Sequence, residues 1–188
     1  MVHTPSPQIA HAAVAELGYL LDGVPEARYA AVLEEVLAAN RIVLHGVGRE
    51  GLMLRALTMR LMHLGFDAHV LGDMTAPPVR TGDLLIVSAG PGHFASVRAL
   101  QEIARSAGAR VLVITAARDG INPNAADVVV TLPGPTLSPD LQVSGSALLM
   151  GSLFEIVQLV FYDVIARQLS ERLERPLRET IERHTNLE

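Results

Sequence analysis

The chain has 188 residues, nearly half of them apolar, 19% charged, with a formal net charge of −5; that is enough for one domain with a substantial core and too apolar for disorder. It has no cysteine, and all 15 of its basic residues are arginine, which excludes disulfides, thiolate nucleophiles, cysteine-held zinc, lysine Schiff bases and a P-loop lysine. An acidic balance with only 4% aromatic residues is the opposite of the basic, ring-lined groove that nucleic acid requires.

The opening MVHTPSPQIAHAAVAELGYLL lacks the charged start and apolar block of a secretion signal, and the expected location is cytoplasmic. Apolar periodicity predicts helices over 6–21 and 25–39. RIVLH (41–45) reads as a buried strand running into the glycine loop GVGREG (46–51), followed by the helical pattern GLMLRALTMRLMHLG. DAHVL (67–71) and DLLIV (83–87) are the second and third strands. A second small-residue loop, SAGPGHFASV (88–97), leads into the helix VRALQEIARSAGA. RVLVITA (110–116) and ADVVVTL (126–132) complete the strands, and TLPGPTLSPD (131–140) is a surface loop and the most mobile one. From about Ser144 come a long apolar helix and, near Pro176, a polar terminal one. The greasiest stretch, ALLMGSLFEIVQLVFYDVIA, carries Glu155, Gln158 and Asp163, so it reads as a buried helix and not a bilayer span. Strands alternating with helices, each strand continuously apolar, mean a parallel sheet covered on both faces. We expect one domain over 1–188: helices in 1–40, the sheet core with both glycine loops in 41–135, and the C-terminal helices in 144–188.

GVGREG is formally G-x-G-x-x-G, and Asp73 follows about twenty residues on, the outline of a dinucleotide site. Against that outline, only GDMTAPPVRTG separates strands two and three, and its two prolines leave no room for the crossover helix of that fold. The alternative is that the glycines serve the turn alone. Either way, both loops close a parallel strand and open a helix, so both belong at the sheet's carboxyl edge, where ligands of open α/β folds bind. Free N–H groups and the positive dipole end of a helix favour an anion there. Two such loops imply a small, polar, anionic ligand.

The stretch GVGREGLMLRALTMRLMHLGF (46–66) resembles the first loop and helix of sugar-isomerase (SIS) domains, closest to the 6-phospho-3-hexuloisomerase branch. The likeness continues through GDMTAPPVRTGDLLIVSAG, GSLFE (151–155) and RHTNLE (183–188). It implies a three-layer α/β/α fold with a five-stranded parallel sheet, flavodoxin-like or Rossmann-like, in a homo-oligomer (tetramer or dimer) with sites at subunit contacts. It also implies an isomerase that interconverts a 3-ketohexose 6-phosphate and fructose 6-phosphate through an enediol, with no metal and no organic cofactor. The implied partners are a small-molecule sugar phosphate and further copies of the chain, with neither nucleic acid nor membrane. The substrate-binding residues implied are Gly46, Gly48, Arg49 and Glu50 in the first loop and Ser88, Ala89, Gly90, Gly92 and His93 in the second.

Two departures from the family pattern stand out. The phosphate loop of the family reads S-G-S-G-E-T, and here Ser88 to His93 lack its second serine and its threonine. Glu50 replaces the serine that follows the first-loop arginine, and a carboxylate beside a phosphate repels it unless it pairs with Arg49 or turns away. If Gly90 caps the following helix and Pro91 opens it, where a missing N–H costs nothing, Gly92 and His93 still offer N–H donors and the His93 ring adds another.

Glu155 lies in an otherwise apolar helix with Gln158 and Tyr162 on the same side, and a carboxylate in such a setting is suited to moving a proton near neutral pH. By resemblance it matches the glutamate proposed as the isomerase base; the alternative is a structural pair with an arginine. His63 and His184 are by resemblance at or near the pocket, His184 from a neighbouring subunit, where either would assist at a substrate oxygen; the alternative is a structural role. Arg49 and Arg60 are expected to orient the phosphosugar or steady subunit contacts. Two further readings remain open: a sugar-phosphate-binding module without catalysis, and an isomerase of a sugar bearing another anion, such as a sulfonate or carboxylate.

Overall fold

The computed structural model describes residues 4–136, 146–175 and 177–187. In chain order it contains α1 (Ser6–Asp22), α2 (Glu26–Ala38), β1 (Ile42–Gly46), α3 (Gly48–His63), β2 (Ala68–Val70), β3 (Leu84–Ser88), α4 (Ala95–Ser106), β4 (Arg110–Thr115), β5 (Val128–Thr131), α5 (Ser152–Arg172) and α6 (Leu177–Glu182). The five strands form one sheet in the order β2-β1-β3-β4-β5, every pair parallel.

Why the strands are apolar throughout is plain from where alternate residues go. Ile42, Leu44, Leu84, Ile86, Leu112, Ile114 and Val130 join a cluster with residues of α2, α3 and α5, including Leu33, Leu57, Phe161 and Ile165. Val43, Leu85, Val87, Val111 and Val113 face the other way, onto Val97 and Ala104 of α4. A sheet dry on both faces needs apolar side chains at every position, and three layers result. On the larger face, Tyr29 of α2 and Phe161 of α5 place their rings 4.6 Å apart. Each large side chain withdrawn from water this way contributes roughly 1.5–3 kcal/mol.

The chain runs from β1 outward to β2, then returns past β1 to β3 and continues to β4 and β5. The return is made without a helix, through turns in which Asp73 N–H donates to Val70 and Ala76 N–H to Asp73, as the two prolines require. Winding direction therefore reverses between β1 and β3, the crevice where ligands of this architecture bind. Both glycine loops flank it, and Gly46 lies in register with Ser88.

Two boundaries differ from expectation. α4 opens at Ala95 with Phe94 as its N-cap, so Gly90 and Pro91 do not start it; Pro91–Phe94 form a turn held by the segment after β4. α5 begins at Ser152, because a turn through Met150, with φ of 56°, precedes it. Residues 137–140 of the expected mobile loop lie outside the described residues. α3 ends where Gly65, with φ of +81°, lets Gly65 N–H donate to Met62 and Phe66 N–H to Leu61, the reversed cap that only glycine adopts without strain. Among the described residues, no helix is long and apolar enough to cross a membrane.

Candidate functional site

The first loop is built for close approach. A Cβ on Gly51 would stand 2.4 Å from the Gly46 carbonyl oxygen, and one on Gly46 would stand 2.9 Å from Gly51 N. The first turn of α3 thus lies directly on the end of β1, and Gly48, at φ +58°, makes the bend into it. Asp73, which the dinucleotide outline assigned to a ribose, pairs with Arg55 at 3.5 Å. The cavity that Gly46 and Gly51 line is about 90 Å³, well below the roughly 300–1,000 Å³ of ligand pockets, and Asp73 lines a separate one of about 320 Å³ with Arg55 and Thr58. The glycines of this loop serve the turn.

The second loop is tied down on nearly every side. Gly90 O accepts from Ala116 N–H at 3.0 Å and from the Thr115 hydroxyl at 3.2 Å. Gly92 O accepts from Asn122 N–H at 3.1 Å, and Gly92 N–H donates to Ala89 O at 2.8 Å. Asn122, fully buried, accepts from Phe94 N–H at 2.6 Å and donates to Phe94 O at 3.0 Å and to Gln101 Oε1 at 3.1 Å. Ala89 N–H pairs with Ile114 O. Gly92, expected as an anion donor, therefore uses its N–H within the turn. His93 is exposed, its ring lying over Gly120.

Glu50 neither pairs with Arg49 nor turns away. Only 8% exposed, it reaches into the second loop, where Oε2 accepts from the Ser88 hydroxyl and from Gly90 N–H at 2.9 Å. Gln158 of α5 donates to Ser88 Oγ at 2.6 Å. Burial pushes the Glu50 carboxyl above its ordinary value, the Glu155 charge acts in the same direction, and the hydrogen bonds from Ser88, Gly90 and Gln158 oppose it. Tyr162, also buried, has its phenol pushed well up by burial and then by Glu50.

Arg49 turns instead to Glu155, its Nε 3.0 Å from Oε2, with the Glu155 side chain 15% exposed and that of Arg49 56%. Arg49 Nη1 also donates to Ser152 Oγ at 3.0 Å. Arg49, Ser152 and Glu155 line a cleft of about 350 Å³ together with Leu149, Met150 and Gly151, a volume that suits a small polar ligand.

The histidines are brought together, but elsewhere. His63 and His184 place their rings 5.0 Å apart, and Arg183 donates to His63 O at 3.4 Å. Arg49 meets Glu155 and Arg60 meets Asp163, at 3.4 Å, so α3 and α5 run side by side in the same direction. At a rise of 1.5 Å per residue, His63 lies about 21 Å along α3 from Arg49. Within one chain neither the histidine pair nor Arg60 reaches the Glu155 cleft. Asn122 and Ser152 are site-shaping residues that the pattern reading missed; an Asn-Pro pair at 122–123 was the available signal for a turn of structural consequence.

No family model matches the chain. The 3-hexulose-6-phosphate isomerase of Bacillus subtilis (strain 168) is 35% identical over 158 residues, covering 82% of this chain and 84% of that protein. That of Mycobacterium gastri is 37% identical over 159 residues, covering 85% and 79%. A Methanococcus jannaschii protein, whose crystal structure was described as inferring a 3-hexulose-6-phosphate isomerase function, superposes with a TM-score of 0.78 at 27% identity, over 96% of this chain and 97% of that one. With sheet order, loop placement and relatives of this identity across most of its length in agreement, the chain belongs to the SIS-domain family of phosphosugar isomerases.

Proposed function

We propose that the chain interconverts a 3-ketohexose 6-phosphate and fructose 6-phosphate, with Glu155 as the base. The carrying observation is the placement of Glu155 and Arg49 along one cleft at the switch point of the sheet, in a chain whose relatives bear the name of that reaction. In this reading Glu155 takes the proton from C2 of the 3-ketose, an enediol spans C2 and C3, and return of the proton to C3 leaves the carbonyl at C2. Arg49 fixes the Glu155 carboxylate, and the loop from Ser88 to His93 receives the phosphate end. His63 and His184 assist at the sugar oxygens from a neighbouring copy, since 21 Å or so separates them from the cleft along α3. The assembly is accordingly a homo-oligomer.

Fructose 6-phosphate incubated with the protein in deuterated water tests this. Deuterium enters beside the carbonyl if the reading holds, and Glu155→Gln abolishes exchange while leaving binding within a few-fold; absence of exchange with the native chain refutes it. A second reading, a sugar-phosphate-binding module without turnover, is favoured by one observation: Glu50 already occupies the Ser88 and Gly90 donors. Binding without exchange selects it.

A further inference from the structure

The donors at the end of β3 are already in use. Ser88 gives its hydroxyl proton to Glu50 Oε2 and accepts from Gln158, while Gly90 N–H serves the same carboxylate oxygen at 2.9 Å. Glu50 is packed against the loop: a Cβ on Gly90 would stand 2.8 Å from Oε1. The groups that face it are the uncharged Ser88 and Gly90 from the β3 side and, from α5, Gln158, Glu155 and Tyr162. The nearest cation on its own helix, Arg49, is engaged by Glu155 at 3.0 Å. Gln158 Oε1 and the Tyr162 hydroxyl, on the α5 side of Glu50, are buried with no hydrogen-bond partner among the described residues.

A phosphate monoester has its second pKa near 6 and carries close to two charges at neutral pH. Two ionised anions side by side in a site of low dielectric repel strongly, and the usual resolution is one shared proton. We propose that Glu50 is a specificity-determining residue that makes this chain bind the phosphate end of its sugar together with one proton. The proton comes from solvent and lies between the Glu50 carboxyl and a phosphate oxygen; no bond to phosphorus forms or breaks. The seat then accepts anions able to carry an exchangeable hydrogen and discriminates against a sulfate ester or sulfonate, which has none at neutral pH. This rests on the reading above that the phosphate end seats at residues 88–93.

Titration calorimetry of fructose 6-phosphate at pH 7.5, in two buffers of different ionisation enthalpy, reads the protons taken up on binding. The native chain should take up about one proton, with affinity falling about tenfold per pH unit above neutrality, as one-proton linkage requires, and with fructose 6-sulfate bound at least tenfold more weakly. Glu50→Gln and Glu50→Ser should bind fructose 6-phosphate tighter at pH 8, with uptake near zero and the preference over the sulfate reduced. His93→Gln should keep the uptake. The proposal is overturned if the native chain binds with no proton uptake, if the uptake persists in both Glu50 variants, or if it disappears with His93. Binding by the Glu50 variants alone, with none by the native chain from pH 5.5 to 8, overturns it while leaving the phosphate seat in place. No binding by any of the three removes the seat itself, and the proposal with it.

Discussion

Asn122→Ala removes the side chain that pins the second glycine loop to the segment after β4. The backbone bonds of Asn122, from its N–H to Gly92 O and to its carbonyl from Gln101 Nε2 at 3.0 Å, survive the change. Three side-chain bonds do not: those with Phe94 N–H, Phe94 O and Gln101 Oε1. Gln101 is fully buried, so its oxygen is left without a partner at a cost of about 1–3 kcal/mol, while the half-buried Phe94 groups regain water and cost nearer 1 kcal/mol together. The sum is about 3 kcal/mol, a large fraction of the 5–15 kcal/mol that holds a typical domain together. With a urea dependence of about 2 kcal/mol per molar, the unfolding midpoint should fall by roughly 1.5 M. In the proposed reading this loop positions the phosphate seat while Glu155 stands on α5, so KM for the phosphosugar should rise several-fold with kcat little changed. Asn122→Asp should be at least as damaging at neutral pH, since its carboxylate faces two acceptors, and should recover on acidification. A midpoint within about 0.3 M of the native value, or a loss confined to kcat, refutes this account of the loop.

Glu155→Gln should lower kcat/KM by about 10²–10⁴, the range that a positioned base supplies, with phosphosugar affinity retained; a loss below tenfold means that another group takes the proton. Stability against pH tests the burial of Glu50. Its carboxyl is raised in the folded chain above its ordinary value of 4.5, so above that pH the folded state holds more protons than the unfolded one and stability falls as pH rises, whereas below it nothing is lost. Glu50→Gln lacks that slope, and its melting temperature should gain on the native chain from pH 4.5 upward; a difference flat across pH 4 to 8 refutes the assignment.

Periodicity made the elements legible because it depends on neighbours a few residues away: the continuous apolar run Leu84–Val87 has no other home than a strand covered on both faces. The helix-free return to β3 was legible for a similar reason, since Pro77 and Pro78 forbid the helix locally. The likeness in GVGREG, GSLFE and RHTNLE picked out three segments as candidates for the site. What was not legible is the choice of partners far apart in sequence. Glu50 and Arg49 are neighbours, and a carboxylate beside a guanidinium suggests a pair. The folded chain instead sends Arg49 to Glu155, over a hundred residues on, and Glu50 to Ser88 and Gly90. Of the two peptide N–H groups that looked available after Pro91, those of Gly92 and His93, the turn claims that of Gly92, and the next one along, Phe94 N–H, goes to Asn122. Competition among donors for one acceptor is decided by tertiary placement, which no window of sequence contains.

The separation of Glu155 from His63 and His184 gives the last prediction. α3 and α5 are both continuous and packed in parallel, so bringing the histidine pair to the cleft within one chain would mean breaking α3, whose buried Leu54, Leu57 and Leu61 anchor it to the sheet. If the histidines take part in the reaction, they do so in the site of another copy, and a closed symmetric assembly offers each copy the same exchange. Two inactive variants then rescue each other: Glu155→Gln supplies an intact His184, and His184→Ala supplies an intact Glu155. Co-folded in equal amounts, about one site in four combines both intact residues if subunits assort at random across a closed interface, and activity should return to roughly that fraction of the native value. Strict absence of rescue, with His184→Ala inactive and co-assembly demonstrated, would mean that the histidines act on the structure of the C-terminal segment and not on the sugar; full activity of His184→Ala alone would remove that residue from the reaction altogether.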